Sequence, residues 1–516
     1  MVTKVVTGAI LGVECRIVTV EVDVSNGLPQ TEMVGKLSGE VREAEKRVRV
    51  ALKNIGITMP PKRITINLAP AALQKEGTAY DLPIAIGLLA AAGRIGDDVL
   101  EDTFIAGELG LNGEIKAVRG VLPMVIAAKE HGMRRCILPG CNRREGAVVG
   151  GVEVCGYDAL EELLNDLEQG ALSVREESAE EPGEEKRESI PDYDEICGQE
   201  GMKRAMVIAA AGFHNLLMIG SPGAGKTMAA KRLPGILPPM RKEEQLEVSK
   251  IYSVAGLLHE KEALLSERPF IAPHHTATLQ SLAGGGRIPM PGLISRAHKG
   301  VLFLDEAVHF SSSSLEVLRQ PLEEKKIMIA RACANYEFPA EFMLVMAINP
   351  CPCGNYPDPE RCSCTQEQVK RYLGRLSGPL LDRIDLCIEM GRLKPEALKK
   401  KHGGRSDVGS AMMREQVIRA RRMQEKRFAG TGLMFNAQMG VKEIEKYIRL
   451  KPEDERFLNE AYEHMNLSLR SYHRLLRVSR TIADLDESEA IETKHLNEAL
   501  CYRGIEDRYW HGGGAL

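Results

Sequence analysis

Residues Gly220, Ser221, Pro222, Gly223, Ala224, Gly225, Lys226 and Thr227 carry the spacing Gly-x-x-x-x-Gly-Lys-Thr. That spacing suits a polyphosphate. Its glycines let backbone N–H groups turn inward around the phosphates, Lys226 reaches the β and γ oxygens, and the Thr227 hydroxyl is a Mg²⁺ ligand. A helix beginning at the end of the loop adds partial positive charge. The loop therefore needs a strand before it and a helix after it. Leu216-Leu217-Met218-Ile219 reads as a buried strand, and Met228-Ala229-Ala230-Lys231-Arg232-Leu233 reads as a helix. A Gly-rich turn that binds nothing is the bland alternative, and the full pattern with both flanks weighs against it.

Hydrolysis needs more than a phosphate cradle. Val301-Leu302-Phe303-Leu304 is a second apolar run, ending in Asp305-Glu306. Asp305 can complete a Mg²⁺ shell through water, and Glu306 can polarise the attacking water. A third run, Met343-Leu344-Val345-Met346-Ala347-Ile348, ends at Asn349, which can orient water beside the γ-phosphate in the role called sensor 1. Polar residues at the C-terminal ends of several strands match the rule for ligand sites in open α/β sheets. The expected cofactors are ATP and Mg²⁺, the metal held by Thr227 and Asp305, and the expected activity is ATP hydrolysis.

The chain has 516 residues, which predicts roughly two to four domains. Its 44% hydrophobic and 27% charged residues are a globular balance. The N-terminus lacks the apolar core of a signal peptide. Leu82 to Ala92, the longest apolar stretch, contains Gly87 and is too short to span a bilayer, so no membrane partner is expected. Twelve cysteines without a secretion signal point to a reducing cytoplasm, where clustered cysteines suggest metal rather than disulfides. A net charge of −4 and a pI of ≈ 6.4 do not mark a nucleic-acid binder, and 4% aromatic residues argue against extensive base stacking. Any such surface must be local.

The clearest boundary is the acidic, core-poor run from Arg175 to Ile190, which reads as a solvated linker. Before it, Cys15 to Val24, Arg63 to Leu68 and Val152 to Cys155 are strand-like, while Tyr80 to Ala92 and Val121 to Glu130 are helical. After it comes the phosphate-loop module, to about Glu389. The Lys-rich stretch Lys399 to Arg405 then leads into mostly helical sequence.

Further motifs converge on one family. Phe270-Ile271-Ala272-Pro273-His274-His275-Thr276 is followed by Gly284-Gly285-Gly286 and Pro291-Gly292-Leu293-Ile294-Ser295. Asn349-Pro350-Cys351-Pro352-Cys353-Gly354 and Ser377-Gly378-Pro379-Leu380-Leu381-Asp382-Arg383-Ile384-Asp385 come later. The set closely resembles the magnesium-chelatase-like AAA+ ATPases of the ComM and YifB type, over essentially the whole chain. The resemblance implies an α/β protein in several parts. These are a Lon-protease-like (ribosomal S5 domain 2-like) α+β domain at 1–170, an acidic linker at 171–192, an AAA+ P-loop domain with a helix-2 insert and cysteine cluster at 193–392, and a C-terminal helical lid at 393–510. It also implies a homo-oligomeric ring, a hexamer, with ATP between subunits. The implied work is on single-stranded or branched DNA, as a helicase or branch-migration motor in recombination or natural transformation. A protein-remodelling ATPase with an inactive Lon-like domain and a chelatase-type motor subunit are the alternatives. After the acidic pair the family has Leu-Pro-Glu-Phe, and this chain has Ala307-Val308-His309-Phe310. The acids are kept and the packing behind them is changed.

By the same resemblance Arg383 takes the place of a trans-acting arginine finger, whose planar donors suit the charge spread over a γ-phosphate. The alternative is an intramolecular pair with Asp382 or Asp385. Arg470 resembles the sensor 2 arginine at the start of a C-terminal helix; a solvated helix residue is the alternative. Cys351, Cys353, Cys362 and Cys364 form two Cys-x-Cys pairs that can gather four thiolates around a structural Zn²⁺. Four reduced thiols in a loop is the other reading, because the pairs are tighter than the usual spacing. His274 and His275 read as a structural pair whose adjacent side chains diverge. In the Lon-like region Ala79 falls at the nucleophile position and Leu122 at the general-base position, so covalent catalysis by that dyad is excluded. Arg287, Arg296 and the basic helix Arg414 to Arg427 are the candidate DNA-facing surfaces.

Overall fold

The computed structural model describes residues 2–170, 172, 190–258, 263–331, 334–391, 408–465 and 467–511. Most of the acidic run, and the stretch 399–405, lie outside the described residues.

Strict alternation builds the first sheet. In the strand Glu14–Ser25, Val18, Val20 and Val22 point into a core while their neighbours are half-buried. Seven strands pair in the order Gln30–Val34, Arg63–Ala69, Glu14–Ser25, Thr3–Leu11, Thr103–Ile105, Arg135–Pro139 and Glu153–Tyr157. The middle pairs are antiparallel, and the last three strands run parallel. The helix Asp81–Ala91 is apolar all round after its first residue, and Asp81 to Ala90 are accordingly all buried. Its first carboxylate, Asp81, is buried too and accepts two hydrogen bonds from the Arg47 guanidinium at 2.8 Å.

The second sheet is parallel throughout, in the order Phe270–Ile271, Val301–Leu304, Met343–Ile348, Leu216–Gly220 and Leu386–Met390. Its strands are continuous apolar runs because both faces are covered. Phe303, Met343, Val345 and Leu216 face one core, which they share with the helices Glu200–Gly212, Ser410–Arg427 and Leu469–Leu485. Leu302, Leu304, Leu344, Met346 and Leu217 face the other, with Cys351 and the segment around Tyr509. The C-terminal helices thus share a core with the sheet rather than burying only each other.

The two sheet-bearing regions meet at a joint between helices Val121–Glu130 and Lys242–Ala255. The Gly120 N–H donates to the Ser253 carbonyl at 3.1 Å, and the Leu122 N–H donates to Ser253 Oγ at 3.4 Å. Ser253 lies near the end of the helix Lys242–Ala255. Among the described residues no helix is long and apolar enough to cross a membrane.

Candidate active site

Register decides which chain ends emerge together. Ile219 lies opposite Ile348 and Leu304 opposite Met346. The phosphate loop, Asp305 and Asn349 therefore leave the same edge of the sheet side by side. The loop turns where Gly223 and Gly225 take φ of +77° and +92°, values a side chain would strain. The helix Lys226–Arg232 starts at once.

Lys226 is buried. Its Nζ donates to the carbonyls of Gly220 (2.6 Å) and Ser221 (3.0 Å) and to Asn349 Oδ1 at 3.1 Å. Burial lowers the affinity of this amine for its proton, and the nearby Asp305 and Glu306 oppose that effect. Thr227 Oγ1 donates to Asp305 Oδ2 at 2.7 Å. A hydroxyl and a carboxylate oxygen in contact are hard ligands of the kind Mg²⁺ takes, so the donor set fits that ion. Glu306 is exposed and takes φ of +49°, a conformation costly for a residue with a Cβ. Its N–H donates to Asp305 Oδ1 at 3.0 Å. Behind the pair, Ala307, Val308 and Phe310 are buried, so the departure from the family's sequence still fills the core.

The two arginines lie elsewhere. Asn215, just before the phosphate-loop strand, donates from its side chain to the Arg383 carbonyl at 2.8 Å, and its own carbonyl accepts from the N–H groups of Asp385 and Leu386. Arg383 is therefore at the opposite end of the strand Leu216–Gly220 from the loop. The Arg383 guanidinium pairs with Glu323 and donates to the Pro379 carbonyl. The intramolecular ion pair exists, but its partner is Glu323 rather than Asp382 or Asp385; Arg474 is the residue near Asp382, at 3.7 Å. Arg470 is 69% exposed and stands 4.0 Å from the same Glu323. Arg383, Arg470, Arg474, Arg477, Glu323 and Asp385 line a cavity of ≈ 240 Å³. Burial alone would raise the Asp385 carboxyl, but His214, Arg477 and Arg474 hold it down to about 2.

The sulfurs of Cys351, Cys353, Cys362 and Cys364 all lie within 4.8 Å of one another. His274 and His275 correct the expectation of divergence. A turn closed by the Ala277 N–H on the His274 carbonyl brings their ring centroids to 4.2 Å. In the Lon-like region Thr78 donates to the Glu108 carboxylate, and the Leu122 N–H is held by Glu145 at 2.9 Å.

Of the expected basic surfaces, Arg296 is half-buried against the Tyr252 ring, and Arg421 is buried over Phe435 at 3.9 Å. Arg427 pairs with Asp484. Arg287, Arg414 and Arg422 are exposed. Sequence reasoning missed Arg331, whose Nη2 donates to the Gly286 carbonyl at 2.9 Å. That bond ties the hairpin Lys326–Ala330/Asn335–Pro339 to the turn carrying Arg287. It also missed Glu323; an acidic pair with Glu324 in a short charged helix gives no signal of its own.

The sequence matches "Magnesium chelatase, subunit ChlI" over residues 192–398, "Subunit ChlI of Mg-chelatase" over 20–142 and "Magnesium chelatase, subunit ChlI C-terminal" over 407–503. It is 44% identical to Competence protein ComM of Haemophilus influenzae, covering 96% of each chain. The chain belongs to the ComM/YifB family of magnesium-chelatase-like AAA+ proteins. YifB of Escherichia coli, described as uncharacterized, is 42% identical over 97% of this chain and 96% of its own. Lon protease 2 of Bacillus subtilis is 26% identical over 148 residues, 27% of this chain and 26% of its own. Membership in the ComM/YifB family supports an ATPase motor that uses nucleotide and Mg²⁺, on the fold of a parallel AAA+ sheet, a Lon-like region and C-terminal helices.

Proposed function

We propose that this chain forms a ring, a hexamer, whose ATP sites are completed between subunits, and that the ring moves DNA. The observation that carries the ring is the separation of Arg383 from the phosphate loop. A strand rises about 3.3 Å per residue, so the five residues of Leu216–Gly220 put roughly 17 Å between the two ends. An arginine side chain does not bridge that gap. Arg383 and Arg470, gathered at one cavity, instead suit the γ-phosphate of a neighbouring subunit.

Within one subunit, Lys226 and the loop N–H groups bind the phosphates, and Asn349 and Glu306 position and polarise the attacking water. Asp305 and Thr227 would hold Mg²⁺, which, when bound, neutralises charge on the β and γ oxygens. The regions 1–170, 193–392 and 393–510 are the proposed units of the motor. DNA as its track rests on the likeness to a competence protein and on Arg287 and Arg331, brought together at two adjoining hairpins. The Lon-like region lacks the nucleophile and base of a protease and serves binding or ring assembly.

Mixing tests the trans site. Arg383→Ala should lower ATPase activity of the assembled protein by about 10³-fold or more, the usual worth of an arginine finger. Its nucleotide binding should stay near wild type. Adding Lys226→Ala subunits should restore part of the activity, since one variant supplies the finger and the other the loop. Mixed rings with no recovery would place Arg383 in a structural role.

A further inference from the structure

We propose that Cys351, Cys353, Cys362 and Cys364 hold one zinc ion, and that this metal fixes the phosphate loop through Gly354. The sulfur of Cys351 lies 3.3 Å from that of Cys353 and 3.8 Å from that of Cys362, and Cys353 to Cys362 is 3.6 Å. A Zn–S bond of about 2.3 Å places tetrahedral sulfurs about 3.8 Å apart. The four are too far apart for disulfide bonds and too close for a multi-iron cluster. Polar groups point at two of the sulfurs: the Tyr356 N–H meets Cys351 Sγ at 3.4 Å, and Asn355 Nδ2 meets Cys353 Sγ at 3.9 Å. Such donors stabilise thiolates, the form that binds metal. Asn355 also donates to the carbonyls of Cys353 and Arg361, tying the two cysteine pairs together.

The loop this metal closes begins at the active site. Asn349, two residues before Cys351, accepts from Lys226. Gly354, one residue after Cys353, has φ of +77°, and a Cβ built there would come within 2.3 Å of Pro222 Cδ. Pro222 is the third residue of the phosphate loop. The cysteine loop thus presses a bare backbone against one side of the loop while its start holds Lys226 from another. No metal or nucleotide contact is needed to see the coupling: both loops share these two contacts. Free of metal, a loop with no strand or helix of its own would keep its turns, the Asn355 bonds and the packing of Cys351 and Tyr356, but would lose the link that joins all four cysteines.

The coupling rests on reading Gly220–Thr227 as a nucleotide site, and the test separates the two. Full-length protein purified in thiol without chelator should carry about one zinc by elemental analysis. Stripping the metal with p-hydroxymercuribenzoate and chelator, followed by dithiothreitol, should weaken binding of a fluorescent ATP analogue about tenfold or more, the scale on which supporting groups act. Reloading zinc should restore it. Gly354→Ala should keep its zinc and lose affinity to the same degree, because its added methyl displaces Pro222. Absence of metal, or iron in place of zinc, overturns the site. Unchanged affinity in the stripped protein, or wild-type affinity in zinc-loaded Gly354→Ala, overturns the coupling. Lys226→Ala is the control: zinc-loaded wild type binding no better than this variant would remove the nucleotide reading and the coupling, and leave the zinc count standing.

Discussion

At the scale of single residues, the proposed function divides binding from chemistry between Lys226 and Glu306. The Lys226 ammonium is buried among carbonyls and Asn349, so it is already placed for phosphate oxygens. Lys226→Ala should weaken ATP binding by about 10–100-fold, the worth of a hydrogen bond to a charged group, in an equilibrium titration. Glu306 is exposed on a left-handed backbone, while the bonds of Lys226 and Thr227 go to loop carbonyls, Asn349 and Asp305. Glu306→Gln should therefore keep its affinity and lose about 10²–10⁴ in turnover, the range for a general base. Wild-type turnover in Glu306→Gln would reassign the water-polarising group. These residues were legible because motif, strand and polar end coincide in the sequence. Glu323 was not, since its role as joint partner of Arg383 and Arg470 arises only when two helices and a turn converge.

At the scale of elements, apolar runs located the three strands that end in the candidate site residues, but not Leu386–Met390, the fourth main strand of that sheet. Leu216–Gly220, Val301–Leu304 and Met343–Ile348 fall where their runs predict. The short edge strand Phe270–Ile271 carries no such pattern. Nor does composition reveal which faces pair, so the sharing of one core by the sheet and C-terminal helices was invisible, as was the joint at Ser253. That joint depends on Glu145, which accepts from the Leu122 N–H at 2.9 Å, from Asn142 Nδ2 at 3.1 Å and from Ser253 Oγ. Burial raises this carboxyl above its ordinary value, against the pull of those donors. Glu145→Ala leaves buried donors unpaired, at about 1–3 kcal/mol. Hydrogen exchange should then accelerate about 5–150-fold in peptides spanning Gly120 to Met124 and Tyr252 to Gly256. Unaltered exchange in both would mean that apolar packing alone carries the joint.

At the scale of the whole molecule the open question is what the motor moves, and overall charge argues weakly, since a net −4 repels DNA in bulk. Charge placement argues better. The Arg331–Gly286 bond fixes one hairpin against the turn carrying Arg287, so two cations stand on adjoining hairpins, and neither is among the hydrogen-bond partners of Lys226 and Thr227. Repeated around a ring, such tips form a band of cations that can track a regular phosphate ladder. DNA should therefore stimulate ATP hydrolysis, most strongly when single-stranded or branched. Gripping phosphates releases condensed counterions, so stimulation should fall steeply as salt is raised from about 50 to 200 mM. Arg287→Glu and Arg331→Glu should each blunt the stimulation and flatten its salt dependence, while basal hydrolysis stays unchanged. A protein-remodelling motor predicts the opposite pattern: indifference to DNA at every salt, and stimulation by an unfolded polypeptide. Equal rates with and without each DNA form at low salt, in protein shown to be a ring, would give that reading the field.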